Sequence, residues 1–329
     1  MPLVEMTLMG RKYSNFSKIF IRRSLEEFTH YFEIEMAIDA SMFRLEDGTL
    51  ISAKHEEVLI DFADRRLLTG WIDIVERIVR EGERYVSLKG RSKTRNLVDC
   101  PLTINANNLT LKELADQAGK LVGVKVAKRS VQGKPVREFA IQAEPPFEPL
   151  SVIARQQGLM CSTDSYGNLF IIQPGDWEVG ANLVLGQNVR EYKETQDGRN
   201  EFSRYVVKGG PDDEGQVENP RITNQLRPWE AISDKDYASL SCQALAEDEH
   251  RKRMGISCTV KLQGWGYGVD NAPWVEGCRV RLIAENLQGI NDNYVPIRAT
   301  MVVSSVEYTV NSKDGMISLI KLRPMEAYR

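Results

Sequence analysis

The chain has 329 residues, with 42% hydrophobic and 27% charged side chains and a formal net charge of −3. That length suits two or three domains at roughly 150 residues each, the composition excludes disordered and fibrous classes, and the near-balanced charge excludes the basic excess of a sequence-specific nucleic-acid surface. Five widely spaced cysteines, behind a first segment that reads as no signal peptide, point to reduced, mostly buried thiols of a protein made in a cytoplasm, and no run approaches the ~20 apolar residues of a membrane helix.

Residues 1–100 read as a sheet-rich unit, a small barrel or sandwich. Phe32, Ile34, Met36 and Ile38 alternate with Glu33, Glu35, Ala37 and Asp39, so one face is buried and the other is acidic and wet. Asp47-Gly48 marks a turn. Strands follow at Val58 to Phe62 and Leu67 to Val79, and Glu81-Gly82-Glu83 turns the chain into a closing strand with Val86 and Leu88 on one side and Ser87 and Lys89 on the other. Gly90 is expected to break that strand. A basic loop with Arg91, Lys93 and Arg95 then leads to Leu97 and Val98, which return to a core beside Asp99 and Cys100.

Residues 101–175 change character and read as small α/β domains. Leu111, Leu114, Ala115, Ala118 and Val122 recur at helical spacing, with Thr110 as N-cap and Gly119 and Gly123 near the end. Val124 with Val126, and Phe139 with Ile141, predict two strands around a Gly133-Lys134-Pro135 turn. After Pro145-Pro146, a helix presents Leu150, Ile153, Ala154 and Gln157 and stops at Gly158. Leu159 to Cys161 and Leu169 to Ile172 form a hairpin around Asp164 to Asn168.

Residues 176–329 return to period-2 patterning, a second barrel with a loop and helix excursion at about 211–254. Val189 to Tyr192 and Phe202 to Val207 predict a hairpin around Gln196-Asp197-Gly198-Arg199. Gly209-Gly210-Pro211 to Pro228 reads as a loop, and Ser233 caps a helix carrying Tyr237, Leu240, Ala244 and Leu245 after Asp236, with His250 to Arg253 in a basic last turn before Gly255. Strands resume at Ile256 to Leu262, Arg279 to Ile283, Thr300 to Val310 and Met316 to Leu322. Leu68 to Gly90 and Met301 to Leu322 echo one another as strand, charged turn ending in glycine, and alternating strand.

Catalytic signatures are absent from the pattern. His30, His55 and His250 lack HExxH spacing, and no cysteine pair has the CxxC spacing of a zinc or redox site. Gly264-Trp265-Gly266-Tyr267-Gly268 lacks the strand-to-helix context of a dinucleotide loop. It reads as a flexible loop between strands, with Trp265, Tyr267 and Trp274 either packed locally or offered to a partner. No catalytic, cofactor-binding or metal residue is assigned, and the chain reads as no enzyme. A LysM-type sugar-binding reading of 101–175 rests on generic helix spacing and ranks below packing.

GRSKTRNLVDC (Gly90 to Cys100), preceded by LLTGWIDIVE (Leu67 to Glu76), resembles the Mu-like phage baseplate hub proteins, contractile-tail hubs similar to the T4-type hub and to the N-terminal domains of secretion-system spikes. The resemblance continues in Tyr13 to Met36, Phe147 to Gly175 and Met301 to Tyr328, so its pieces span nearly the whole chain in order. Thr29 and His30 depart from it, standing where the family tends to have a small residue or glycine. The resemblance implies an α+β, mainly β fold with two tube-type β-barrels plus small α/β domains. It implies a structural hub: a homotrimeric ring in the virion baseplate, joining a sixfold tail tube to a threefold central spike and leaving a channel for tape measure and DNA. Partners would be the spike, tube, tape-measure and other baseplate proteins, with Glu33, Glu35 and Asp39 as candidates for an acidic channel lining. The alternatives are a cell-wall-binding or wall-degrading tail-tip protein, or the hub of a tailocin or related injection machine.

Overall fold

The computed structural model describes residues 3–37, 53–210, 213–233, 241–284, 297–311 and 313–328. Ile38, Asp39, the Asp47-Gly48 turn, Pro211, Asp236, Tyr237 and Leu240 lie outside the described residues.

The first segment supplies β1 (Val4–Leu8), β2 (Arg11–Tyr13), β3 (Lys18–Ser24), β4 (Tyr31–Ala37), β5 (Glu57–Phe62), β6 (Arg65–Arg80) and β7 (Glu83–Ser92). Its tight hairpins follow from turn chemistry: Glu81 and Gly82 sit at φ 53° and 85°, so the β6–β7 turn has the two left-handed residues that match the strands' twist. Gly90 does not break β7. It lies inside the strand between Lys89 and Arg91, where the Phe32 ring from β4 covers it, and an added Cβ would meet that ring at 2.5 Å. The glycine is there because the Trp71 carbonyl oxygen and the Phe32 ring occupy the space a side chain would need.

The next segment forms one compact unit: α1 (Arg95–Asp99), β8 (Leu102–Thr110), α2 (Leu111–Val122), β9 (Pro135–Glu144), α3 (Phe147–Gln156), β10 (Met160–Thr163) and β11 (Leu169–Ile172). Leu97, Leu111, Leu114, Phe139, Ile141, Leu150, Ile153 and Leu169 share its core. The expected helices stand where the spacing puts them, α2 with a capping box between Thr110 and Glu113 and with Gly123 left-handed at its end. Val124 and Val126 form no strand; Val126 makes a single bridge to Leu169. The partner of β9 is β8, whose polar LTINANNLT carries little apolar alternation because one face of this two-stranded ribbon is wet.

The last segment contributes β12 (Leu183–Val184), β13 (Val189–Gln196), β14 (Arg204–Lys208), β15 (Glu214–Glu218), β16 (Pro228–Ile232), α4 (Cys242–Lys252), β17 (Ile256–Gln263), β18 (Gly266–Tyr267), β19 (Ala272–Pro273), β20 (Arg279–Ala284), β21 (Ile297–Asn311) and β22 (Gly315–Arg323). The expected hairpin across residues 196–199 does not form. β13 pairs with β17, and β14 leaves to pair with β15 and β16 in a separate three-stranded sheet. Asp197 caps a short 3-10 turn at 198–200 and its N–H donates to Gly255 O at 3.0 Å, which steers the chain out of the main sheet and fixes the return point. The stretch read as loop up to Pro228 therefore holds a strand, β15, packed under α4. The cap of α4 is Ser241 rather than Ser233, because the Ser241 hydroxyl accepts from Ala244 N–H.

The fold is α+β and mainly β. A 13-stranded sheet runs β13-β17-β22-β21-β3-β4-β7-β6-β5-β1-β2, with β20 also on β21 and β12 on β20. Both ends of the chain thus enter one sheet through the β21–β3 pairing, and Phe32, Ile34, Leu88 and Ile60 share a core with Val260, Leu282, Val306 and Ile320. The glycine-rich run is part of this core. Trp265 and Trp274 are 0% and 1% exposed, so they are packed rather than offered to a partner, and Trp265 Nε1 donates to Thr309 O. Trp265 sits 5.6 Å from Phe62 and 5.3 Å from Tyr308 between ring centroids, joining the first and last segments.

Candidate functional site

Among the described residues no group of three or more His, Cys, Asp and Glu side chains is placed to hold a metal ion. The five cysteines are unbonded and four are buried. Burial pushes the Cys161 and Cys278 thiols up to about 12, so neither is a ready thiolate. The features that remain are a buried ionic junction, a groove beside it, and the outer face of the sheet.

The junction begins with KIFIRRS. Ile19, Ile21 and Arg23 share one face of β3, so the strand's own alternation drives Arg23 into the core. Its Nε and Nη2 donate to the Glu276 carboxylate at 2.9 and 3.0 Å, and its Nη1 donates to Leu67 O at 2.7 Å and Ser165 Oγ at 2.8 Å. One guanidinium therefore ties the first sheet segment to the α1–β11 unit and to the turn before β20. His30 is fully buried, with Nε2 3.3 Å from Glu276 Oε1 and Nδ1 without a hydrogen-bond partner. Burial would raise the Glu276 carboxyl, but Arg23 and the neighbouring His30 hold it well below the usual carboxylate range. Burial pushes the His30 imidazole below its ordinary value, with Glu276 opposing. Next to it, Thr94 and Thr163 both donate to Phe28 O, at 3.0 and 3.1 Å, and Ser92 Oγ accepts from His30 N–H. This hydroxyl cluster accommodates Thr29 and His30 at the corner between β3 and β4.

Between that corner and α3 lies a groove of about 400 Å³ whose lining includes Phe28, Phe147 and Met160. Beside it a cavity of about 220 Å³ holds two charge pairs, Arg155 with Asp248 at 3.1 Å and Arg323 with Glu26 at 2.5 Å. These pairs lock α4 to α3 and the C-terminal strand to the corner, so the three parts of the molecule meet here.

Over β3, β4, β6 and β7 the face of the sheet opposite the core is charged, and its charges are paired. Lys18 meets Glu33 at 3.3 Å, Arg80 meets Glu35 at 3.7 Å, Lys89 meets Glu76 at 2.8 Å, Arg91 meets Asp73 at 2.8 Å and Arg22 meets Glu307 at 3.8 Å. Strand register sets opposite charges in adjoining rows: Glu33 stands directly opposite Lys89 on β7, and Arg22 opposite Glu307 on β21. Hydrogen bonding to Glu76 raises the Lys89 ammonium above its ordinary value. Glu33 and Glu35 are thus each countered by a cation, while Asp39 lies outside the described residues. The cations expected in a solvated loop are likewise placed: Arg91 is in β7 and bonds Asp73 and Asp99, Arg95 opens α1 and also meets Asp73, and Lys93 meets Glu57. Exposed pairs of this kind contribute only ~0–1 kcal/mol each.

Sequence reading missed the Arg23–Glu276–His30 junction. Its signal was present in the Ile19, Ile21, Arg23 alternation, but the carboxylate that justifies a buried arginine lies 253 residues away.

Residues 94–173, which enclose the α1–β11 unit, match a family described as baseplate hub protein gp44-like, second domain. Over 348 aligned residues the chain is 25% identical to the baseplate hub protein gp44 of Escherichia phage Mu, covering 97% of this chain and 87% of that protein. The 43 kDa tail protein of prophage MuSo2 from Shewanella oneidensis shares the fold with a TM-score of 0.82 at 24% identity, covering 100% of this chain and 98% of that one. A tail protein from Neisseria meningitidis MC58 does so with a TM-score of 0.81 at 19% identity, covering 99% and 97%. Along almost its whole length the chain is thus similar in sequence to a baseplate hub protein of a Mu-type phage tail, with the hub's second domain matched at residues 94–173 and the fold shared with Mu-like prophage tail proteins.

Proposed function

We infer that this hub acts as a homotrimeric ring of a contractile tail, joining a sixfold tube to a threefold central spike and leaving a channel for tape measure and DNA. The observation that carries this is the repeat inside the sheet. About the β3–β4 pairing, hairpin β7–β6 lies beside β4 and hairpin β21–β22 lies beside β3. Each chain therefore carries two similar half-sheets in one continuous layer, and three chains about an axis present six. The two tube-type units at 1–100 and 176–329, with small α/β domains at 101–175 between them, are the division that fits this role.

Spike, tube, tape-measure and other baseplate proteins are the partners of such a ring, and the assembled virion baseplate is its location after synthesis in the host cytoplasm. No helix among the described residues is long and apolar enough to cross a membrane. The work is mechanical rather than catalytic, which an assay for peptidoglycan cleavage checks: release of soluble wall fragments would overturn it.

Light scattering at several concentrations tests the ring. A species of about 112 kDa, three times the 37.3 kDa chain, is expected. A closed twofold dimer would exclude it. If the chain alone stays monomeric, addition of the cognate spike is expected to produce the trimer.

A further inference from the structure

Over β3, β4, β7 and β6 the outer face of the sheet bears cations at strand spacing, Lys18 and Arg22 on β3, Arg80 on β6, and Lys89 and Arg91 on β7, and each is held against a carboxylate, Arg22 against both Glu27 and Glu307. These side chains remain in contact with water: Arg22, Lys18 and Arg80 are 42%, 51% and 58% exposed. Cations spaced along strands on an open face would track a phosphate backbone, with affinity set by how many of them are free to displace condensed counterions. Paired as they are, they are not free.

We propose that the ion-pair mosaic on this face keeps a latent polyanion-binding surface neutral, so that a nucleic-acid duplex can pass along it without being held. This rests on the ring reading for its purpose, since a channel wall is where passage without capture matters, but the surface property belongs to the single chain. Neutrality serves both directions: a face of free carboxylates would repel a passing phosphate backbone, and one of free cations would retain it. Screening at physiological salt reaches about 8 Å, so partners within 4 Å cancel one another before a distant phosphate senses either.

The test uses the full chain and a fluorescent duplex of about 20 base pairs, read by anisotropy across a salt series. Glu33→Gln, Glu35→Gln, Glu76→Gln and Glu307→Gln together free three cations, Lys18, Arg80 and Lys89, and leave Arg22 held by Glu27 alone, while retaining side-chain shape. The wild type is expected to show no saturable binding at 50 mM salt. The fourfold variant is expected to bind at least about tenfold more tightly, with a log–log salt slope near −3. A control with Glu138→Gln, Glu214→Gln, Glu218→Gln and Glu326→Gln, all exposed and outside the 13-stranded sheet, changes net charge equally and is expected not to bind. Binding by the wild type, equal binding by the control, or a folded variant that gains nothing each overturns the proposal. Should the fourfold variant fail to fold, Glu33→Gln with Glu76→Gln, which frees Lys18 and Lys89, is read in the same way with a slope near −2. Light scattering on the same samples keeps the two readings apart. A closed twofold dimer whose variant binds removes the ring but keeps the neutral face, and a trimer whose variant does not bind does the reverse.

Discussion

Gly90 shows how much one residue can depend on a neighbour far away in the chain. In sequence it follows Lys89 and precedes a basic run, which reads as a strand ending. In the fold it lies under the Phe32 ring, and its backbone runs against the carbonyl of Trp71. A methyl at this position has no space unless β4 or β6 moves. Gly90→Ala is therefore expected to destabilise the protein by about 1–3 kcal/mol, the usual range for overpacking, read as a lower urea midpoint with an unchanged m-value. An unchanged midpoint would mean that the Phe32 ring and the Trp71 carbonyl both give way without cost. Arg23 depends in the same way on Glu276, since a guanidinium so deeply buried without its carboxylate would be costly.

At the scale of elements, local chemistry accounts for the helices and hairpins. The α2 capping box is contained within Thr110 to Glu113: Thr110 N–H donates to Glu113 Oε2 at 2.8 Å and Glu113 N–H donates to Thr110 Oγ1 at 3.3 Å. Thr110→Ala removes one half of that exchange. A loss of about 1 kcal/mol is expected, seen as faster amide hydrogen exchange in the first turn of α2 while α3 is unaffected. Strand partners are another matter. The hairpin read across residues 196–199 had two alternating segments and a turn between them, yet β13 pairs sixty residues onward with β17. Alternation says that a strand has a buried face; it does not say which strand lies beside it. β8 escaped notice for the opposite reason, being too polar to look like a strand until β9 is placed next to it.

At the scale of the whole molecule, three segments converge on the Arg23–Glu276–His30 junction, so its ionisation bears on the stability of the whole. The His30 imidazole is depressed by burial in the folded state and returns to about 6.5 on unfolding. The unfolded chain then binds more protons below that value, so the stabilising contribution is complete above pH ~6.5 and is lost as the pH falls toward the folded-state value. The thermal midpoint is expected to drop between pH 7.5 and 5.5, and His30→Gln to flatten that slope. An equal slope in the variant would place the acid sensitivity elsewhere. Glu276 acts lower, its contribution present above about 4.5 and lost in stronger acid, because its folded value is depressed.

By itself the sequence determined the mainly β character, the α2 helix with its Thr110 cap, the α3 helix with its stop at Gly158, the β6–β7 and β21–β22 hairpins, and the likeness to baseplate hubs. These rest on side-chain periodicity, turn chemistry and motif order, all carried by residues near one another in the chain. Tertiary structure alone decided that the two ends share one sheet through β21 and β3, that Trp265 and Trp274 are core, that Arg23 is matched by Glu276, and that Glu33, Glu35 and Glu76 are each countered by a cation. Each of those is a pairing between residues distant in sequence, and periodicity records that a side chain needs a neighbour without recording which one it meets.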